Sequence, residues 1–181
     1  MRKIVLTFGL LSGLVLSAMM AITMPFHDRI GYERGMILGY TTMVAASLLI
    51  YFGVRRYRDH VGGVSFGRAF AVGALIMCVS NLCYVATWEV IYPRFAADYM
   101  EKYSAHELEK ERAKGATPAA LEAKRAEFAR YAEMYKSPPI RAGMTFLEPL
   151  PVGLLASLIT AGVLRRRRRD AASAVPLSSV A

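Results

Sequence analysis

Groups that carry enzyme chemistry are scarce. The 181 residues include only three histidines and two cysteines. No HExxH, no CxxC and no glycine-rich phosphate loop occurs. Cys78 and Cys83 stand five residues apart in an apolar stretch, so on a helix they point about 140° away from each other. That geometry disfavours a disulfide or a shared metal, and both read as small buried hydrophobes. His27, His60 and His106 are widely separated. Ser12, Ser17, Ser47, Ser80 and Ser157 sit in apolar stretches with no histidine base nearby in sequence. The expectation is a non-catalytic protein with no cofactor and no metal ligands. Acidic residues are also few, 14 against 23 Lys and Arg, for a net charge of +9. In an apolar chain this excess marks the cytoplasmic side of a membrane protein, and no nucleic-acid partner is expected.

What is abundant is apolar sequence. Hydrophobic residues make up 55% of the chain, and they are concentrated in four blocks, at about 4–24, 35–54, 66–92 and 145–164. Blocks of roughly 20 apolar residues cross a bilayer as helices. The first is long for a cleavable signal segment and lacks a clean small-x-small site, so it reads as a retained span. Pro25 closes it, and a short polar turn follows with His27, Asp28, Arg29, Glu33 and Arg34. Arg55, Arg56 and Arg58 close the second block, and Asp59 to Gly63 reads as a flexible turn. Ser65 is the expected N-cap of the third block. Tyr84, Trp88 and Tyr92 gather near that block's far end, where an aromatic belt belongs.

The segment 93–143 is polar, with ten Lys or Arg against eight Asp or Glu. Phe95, Tyr99 and Tyr103 form one apolar stripe, and Leu121, Phe128, Tyr131 and Tyr135 form another. Gly115 ends the first helical stretch, and Thr117-Pro118 opens the second as N-cap and first residue. Glu122/Arg125, Glu127/Arg130 and Glu133/Lys136 are i,i+3 pairs. Ser137-Pro138-Pro139 stops the second helix. The expectation is a helical hairpin outside the bilayer, closed on its aromatic stripes. Arg165, Arg166, Arg167, Arg168 and Arg169 then anchor the last span, and 170–181 reads as a disordered tail.

The N-terminus, the second linker and the C-terminal tail carry 2, 4 and 5 Lys or Arg, the first linker 2. The positive-inside rule therefore places both termini in the cytoplasm and the hairpin outside. In a bacterium this is the inner membrane. His27 and His106 then lie on one side and His60 on the other.

In lipid, helices associate through small residues and interhelical hydrogen bonds. Gly9, Gly13, Ser17 and Ala21 form an i,i+4 row, as do Gly31, Gly35 and Gly39, and Gly153, Ser157 and Ala161. These rows are seams within the chain or a face for a second copy. Asn81, midway along the third block, is expected to bond to a neighbouring helix. Two carboxylates enter the blocks near their outer ends, Glu89 and Glu148, each beside a proline. Pro93 should free the carbonyl of residue 89, and Pro149 should hold Glu148 out of helical dihedrals. With Asn81 and His27 these carboxylates make a candidate intramembrane polar site for a cation or a shared proton. The plainer reading pairs each glutamate with an arginine such as Arg94 or Arg141.

A glycine-rich first helix, the linker "YRDHVGGVSFGRAF", the polar hairpin and the final "PVGLLASLITAGVLRRR" together resemble the bacterial membrane proteins that carry domain of unknown function 4199, over roughly residues 4–168. The resemblance implies a four-span membrane protein and transfers no activity or functional residue. The fold expected is an all-α integral membrane four-helix bundle with a hairpin between the third and fourth spans. The function expected is interaction or scaffolding, with the lipid bilayer around the bundle and a protein partner or second copy on the hairpin. The alternative is a small cation- or proton-coupled transporter using Glu89 and Glu148.

Overall fold

The computed structural model describes residues 1–165. Arg166, Arg167, Arg168, Arg169 and the tail expected over 170–181 lie outside the described residues. Helix α1 (Arg2–Thr23) continues through a 3-10 turn containing Pro25 into the single turn α2 (His27–Ile30). Gly31 breaks the path at φ 78°, a conformation open to glycine. Then come α3 (Tyr32–Val61) and α4 (Phe66–Phe95), and the polar helices α5 (Tyr99–Ala113) and α6 (Pro118–Tyr135). The last span is α7 (Pro138–Leu147) followed by α8 (Leu150–Leu164). Among the described residues, four segments are long and apolar enough to cross a membrane: Arg2–Ile30, Tyr32–Val61, Phe66–Phe95 and Pro138–Leu164. No strand occurs among the described residues, so the fold is the expected all-helical bundle.

The helices overrun the apolar blocks, because hydropathy sees the lipid-facing stretch while helices end at stop signals. Asp59, His60 and Val61, expected in a turn, are the last helical residues of α3. The stop is Gly62 at φ 71°, and both its amide and that of Gly63 donate to the Arg58 carbonyl. Ser65 occupies the N-cap position of α4, but its hydroxyl makes no capping bond. Pro93 does not end α4, which runs on to Phe95 and closes with the Ala96 amide on the Tyr92 carbonyl. A proline removes only its own N–H donor, so two further residues can stay helical. The fourth span starts at Pro138 rather than 145, and it is broken at Glu148-Pro149. Glu148 is helical there (φ −58°, ψ −55°), against the expectation from its following proline. The break arises one residue later, because Pro149 has no amide for the preceding turn.

The small-residue rows explain the bundle's seams. A Cβ on Gly9 would stand 2.6 Å from Val79 Cβ, and one on Gly13 would stand 2.6 Å from Cys83 Cβ. Ser17 accepts from the Thr87 hydroxyl at 2.7 Å. Thus α1 lies directly on α4, while Ala21, the fourth member of the row, is exposed. Ser12 bonds the Ala46 carbonyl of α3 (3.2 Å) and accepts from Ser80 of α4 (3.0 Å), joining three helices. On α8, Gly153 packs on Met77, Ser157 packs on Gly73, and Ala161 is fully buried. Val5, Tyr57, Val64 and Leu164 close one end of the bundle. Arg2, Lys3, Arg55, Arg56, Arg58 and Arg165 therefore gather at that end, and the hairpin stands at the other.

Candidate functional site

The hairpin is seated on the bundle by its base. Thr117 caps α6 as expected, its hydroxyl accepting from the Ala120 amide, and Gly115 turns the chain at φ 84°. Tyr103 meets Phe128 edge-on within the hairpin. Tyr99 and Tyr135 instead join Met20, Trp88 and Ile91 at the end of the bundle. Trp88 donates its indole N–H to the Tyr135 hydroxyl at 2.7 Å. Lys102 bridges Asp28 and Asp98, and its bond holds the Asp98 carboxyl below the ordinary range. Glu122/Arg125 and Glu133/Lys136 pair as expected, whereas Glu127 pairs with Lys124 rather than Arg130. The stripes therefore serve two surfaces, hairpin and bundle, rather than the hairpin alone.

The two glutamates have separate partners. Glu89 on α4 is gripped by Arg141 at the start of the fourth span, with Nε donating at 2.9 Å and Nη2 at 2.5 Å. The Arg141 side chain is only 9% exposed, its guanidinium lies 4.3 Å from the Tyr92 ring centroid, and Nη1 also reaches the Tyr135 carbonyl. Arg94 bonds the Val90 carbonyl instead. Glu148 pairs with no arginine among the described residues. Its Oε2 accepts from the Tyr84 hydroxyl at 3.1 Å, and no Lys, Arg or His pairs with it among the described residues. Asn81, 2% exposed, donates to the Phe146 carbonyl at 3.2 Å, just before the Pro149 break. Its role is to join α4 to the broken span, as the reading of a neighbour-helix bond anticipates.

Glu148 faces a cavity of about 330 Å³ between α1, α3 and α4, roofed by the base of the hairpin. Trp88, Tyr32, Tyr99 and Tyr135 are in its wall, with Met20 and Met43 deeper along the helices. Gly35 and Gly39 have nothing within 4 Å of a would-be Cβ and border this space. The Gly31, Gly35, Gly39 row is thus no seam within the chain. It is a wall kept low by missing side chains. His27 also lines the cavity, with Nδ1 on the Met24 carbonyl at 2.9 Å and Nε2 3.1 Å from Asp28. Burial, and next the charge of Glu148, push the Tyr99 hydroxyl up to about 12, so it stays protonated at neutral pH.

Of the four candidate polar-site residues, then, Glu148 and His27 share one cavity. Glu89 is held in its ion pair, and Asn81 is held on the Phe146 carbonyl. The aromatic wall and Tyr84 as the partner of Glu148 were not singled out as a site by sequence. The only signal was the spacing of Tyr84 and Trp88, one helical turn apart on one face. No group of three or more His, Cys, Asp or Glu able to hold a metal occurs among the described residues. The family model described as "Protein of unknown function (DUF4199)" matches residues 7–166. No curated protein and no solved structure matches the chain.

Proposed function

The chain belongs to the DUF4199 family, and from that premise we propose that it is a non-catalytic interaction or scaffold protein of the bacterial inner membrane. Both termini are cytoplasmic in this reading, and the hairpin stands outside. The observation that supports it is that neither α5 nor α6 contains a buried residue. An ordered, charged hairpin that lends the core only the half-buried Tyr99 and Tyr135 of its base is material for a surface. Its base is fixed by Tyr99, Lys102 and Tyr135, so its far end is presented in one orientation to a protein partner or a second copy.

The test replaces Glu107–Lys124 by a short Gly/Ser turn, which leaves Tyr99, Lys102, Tyr135 and Arg141 in place. Crosslinking in intact membranes followed by pull-down compares this chain with the full one. The expected result is a specific protein or self-crosslink that disappears with the distal hairpin while insertion persists. Identical capture from both chains, or none from either, would overturn the proposal.

The transporter reading that used Glu89 and Glu148 together has lost one of its two groups, since Glu89 is committed to Arg141. What survives of it is the cavity that Glu148 faces.

A further inference from the structure

The cavity beneath the hairpin has an unusual wall. Among the described residues it contains one carboxylate, Glu148, and no lysine or arginine. Tyr84 supplies the single hydrogen bond that orients that carboxylate, to Oε2, and Oε1 has no bonding partner among the described residues. Around it stand aromatic rings already fixed by one another. Tyr99 meets Trp88 edge-on at 6.1 Å and Tyr32 at 5.9 Å, and it stacks on Tyr103 at 6.1 Å. Methionines continue the wall towards the middle of the bundle.

Each candidate ligand class meets this wall differently. An anion would find a carboxylate and, among the described residues, no lysine or arginine. A divalent metal would find one carboxylate where several hard oxygens are needed. A neutral apolar molecule would leave the carboxylate unmatched in a low-dielectric space, which is costly. A monovalent organic cation matches every feature. Its charge is attracted by the carboxylate and by the negative faces of Trp and Tyr rings, and its apolar body suits adaptable methionine surface. The volume is at the small end of the range usual for small-molecule sites. His27 does not oppose this, because its Nε2 lies 3.1 Å from the Asp28 carboxylate.

We propose that this cavity is a binding site for a lipophilic ammonium or quaternary ammonium compound, with Glu148 as counter-charge and the aromatic group around Trp88 as its cage. The proposal goes beyond the hairpin's interaction role and stands whether or not that role is correct. The same chemistry is offered by a soluble lipophilic cation and by the amine of an ethanolamine lipid headgroup.

Trp88 is the chain's one tryptophan and lies in the cavity wall, so its fluorescence reports on this site alone. The full chain is placed in phosphatidylglycerol nanodiscs and titrated with octyltrimethylammonium, with octyl sulfate and octyl glucoside as anionic and neutral controls. A saturable change with the cation alone is expected. Glu148→Gln should weaken it roughly tenfold or more. Gly39→Leu should abolish it by filling the space, which begins open: a Cβ there meets nothing within 4 Å. Nanodiscs containing phosphatidylethanolamine then separate the sources. A rise in the apparent Kd assigns the site to the lipid amine, and an unchanged Kd assigns it to a soluble cation. The same response to octyl sulfate, no saturable response, or wild-type affinity in a monodisperse Glu148→Gln or Gly39→Leu chain would overturn the proposal.

Discussion

Glu89 and Arg141 form a two-pronged ion pair between α4 and the start of the fourth span, with Arg141 9% and Glu89 28% exposed. A planar guanidinium against a carboxylate fixes angle as well as distance, so the pair sets how the hairpin's second strand of chain re-enters the bundle. Removing one partner leaves the other charge uncompensated in a poorly hydrated place. Arg141→Gln should therefore lower stability by about 3 kcal/mol, read as a fall in the thermal unfolding midpoint in detergent. Glu89→Leu combined with Arg141→Leu should recover most of that loss, because neither charge is then stranded. Equal losses in the single and double variants would show that the pair does not act as a unit. Sequence went part of the way here. It offered Arg94 and Arg141 as partners for Glu89, and only the fold could choose, because the two lie 5 and 52 residues away and Arg94 has a local carbonyl to bond. Tyr84 and Glu148 lie 64 residues apart, and no local pattern links a phenol to a carboxylate at that range.

At the scale of helices, glycine has two opposite uses in this chain. Gly9 and Gly13 let α1 touch α4, whereas Gly35 and Gly39 hold space open. Both are i,i+4 rows in sequence, and the spacing alone does not tell contact from void. Substitution should separate them. Gly13→Leu drives a Cβ to 2.6 Å from Cys83 and should cost about 1–3 kcal/mol through forced separation of the helices. Gly39→Ala meets nothing within 4 Å and should leave the unfolding midpoint unchanged or slightly raised. Similar losses at both positions would contradict the assignment of one row to a seam and the other to the cavity. Element type was legible throughout, because each span carries a long apolar run. Element ends were less so. Hydropathy stopped at Val54, while the helix continues to Val61 and ends on the left-handed Gly62. Proline misled in the other direction: Pro93 lies inside α4, and Glu148 keeps helical dihedrals before Pro149. Tertiary packing outweighs a local preference of that size.

For the whole molecule, the division of labour follows charge. Basic residues gather at the end closed by Val5, Tyr57 and Leu164, and balanced charge with aromatics occupies the other. The count of spans and the place of the hairpin were readable because lipid imposes length and polarity together. The cavity was not readable, since it is made by residues from α1 through α7 that meet only once α2 has turned the chain at Gly31. Both functional proposals use the same end of the bundle. The hairpin's distal half offers a surface, and its base roofs the cavity, so a partner on the former would sit over the latter.

The claim on which the interaction proposal depends is that the hairpin lies outside the cytoplasm and the arginine end lies within it. With Cys78 and Cys83 replaced by Ala, single cysteines at Ala119 on exposed α6 and at Arg56 on α3 can be treated in intact cells with a membrane-impermeant maleimide. Ala119→Cys should label in intact cells, and Arg56→Cys only after permeabilisation. The reverse pattern, or equal labelling of both, would contradict the threading and with it the assignment of the hairpin to an external partner.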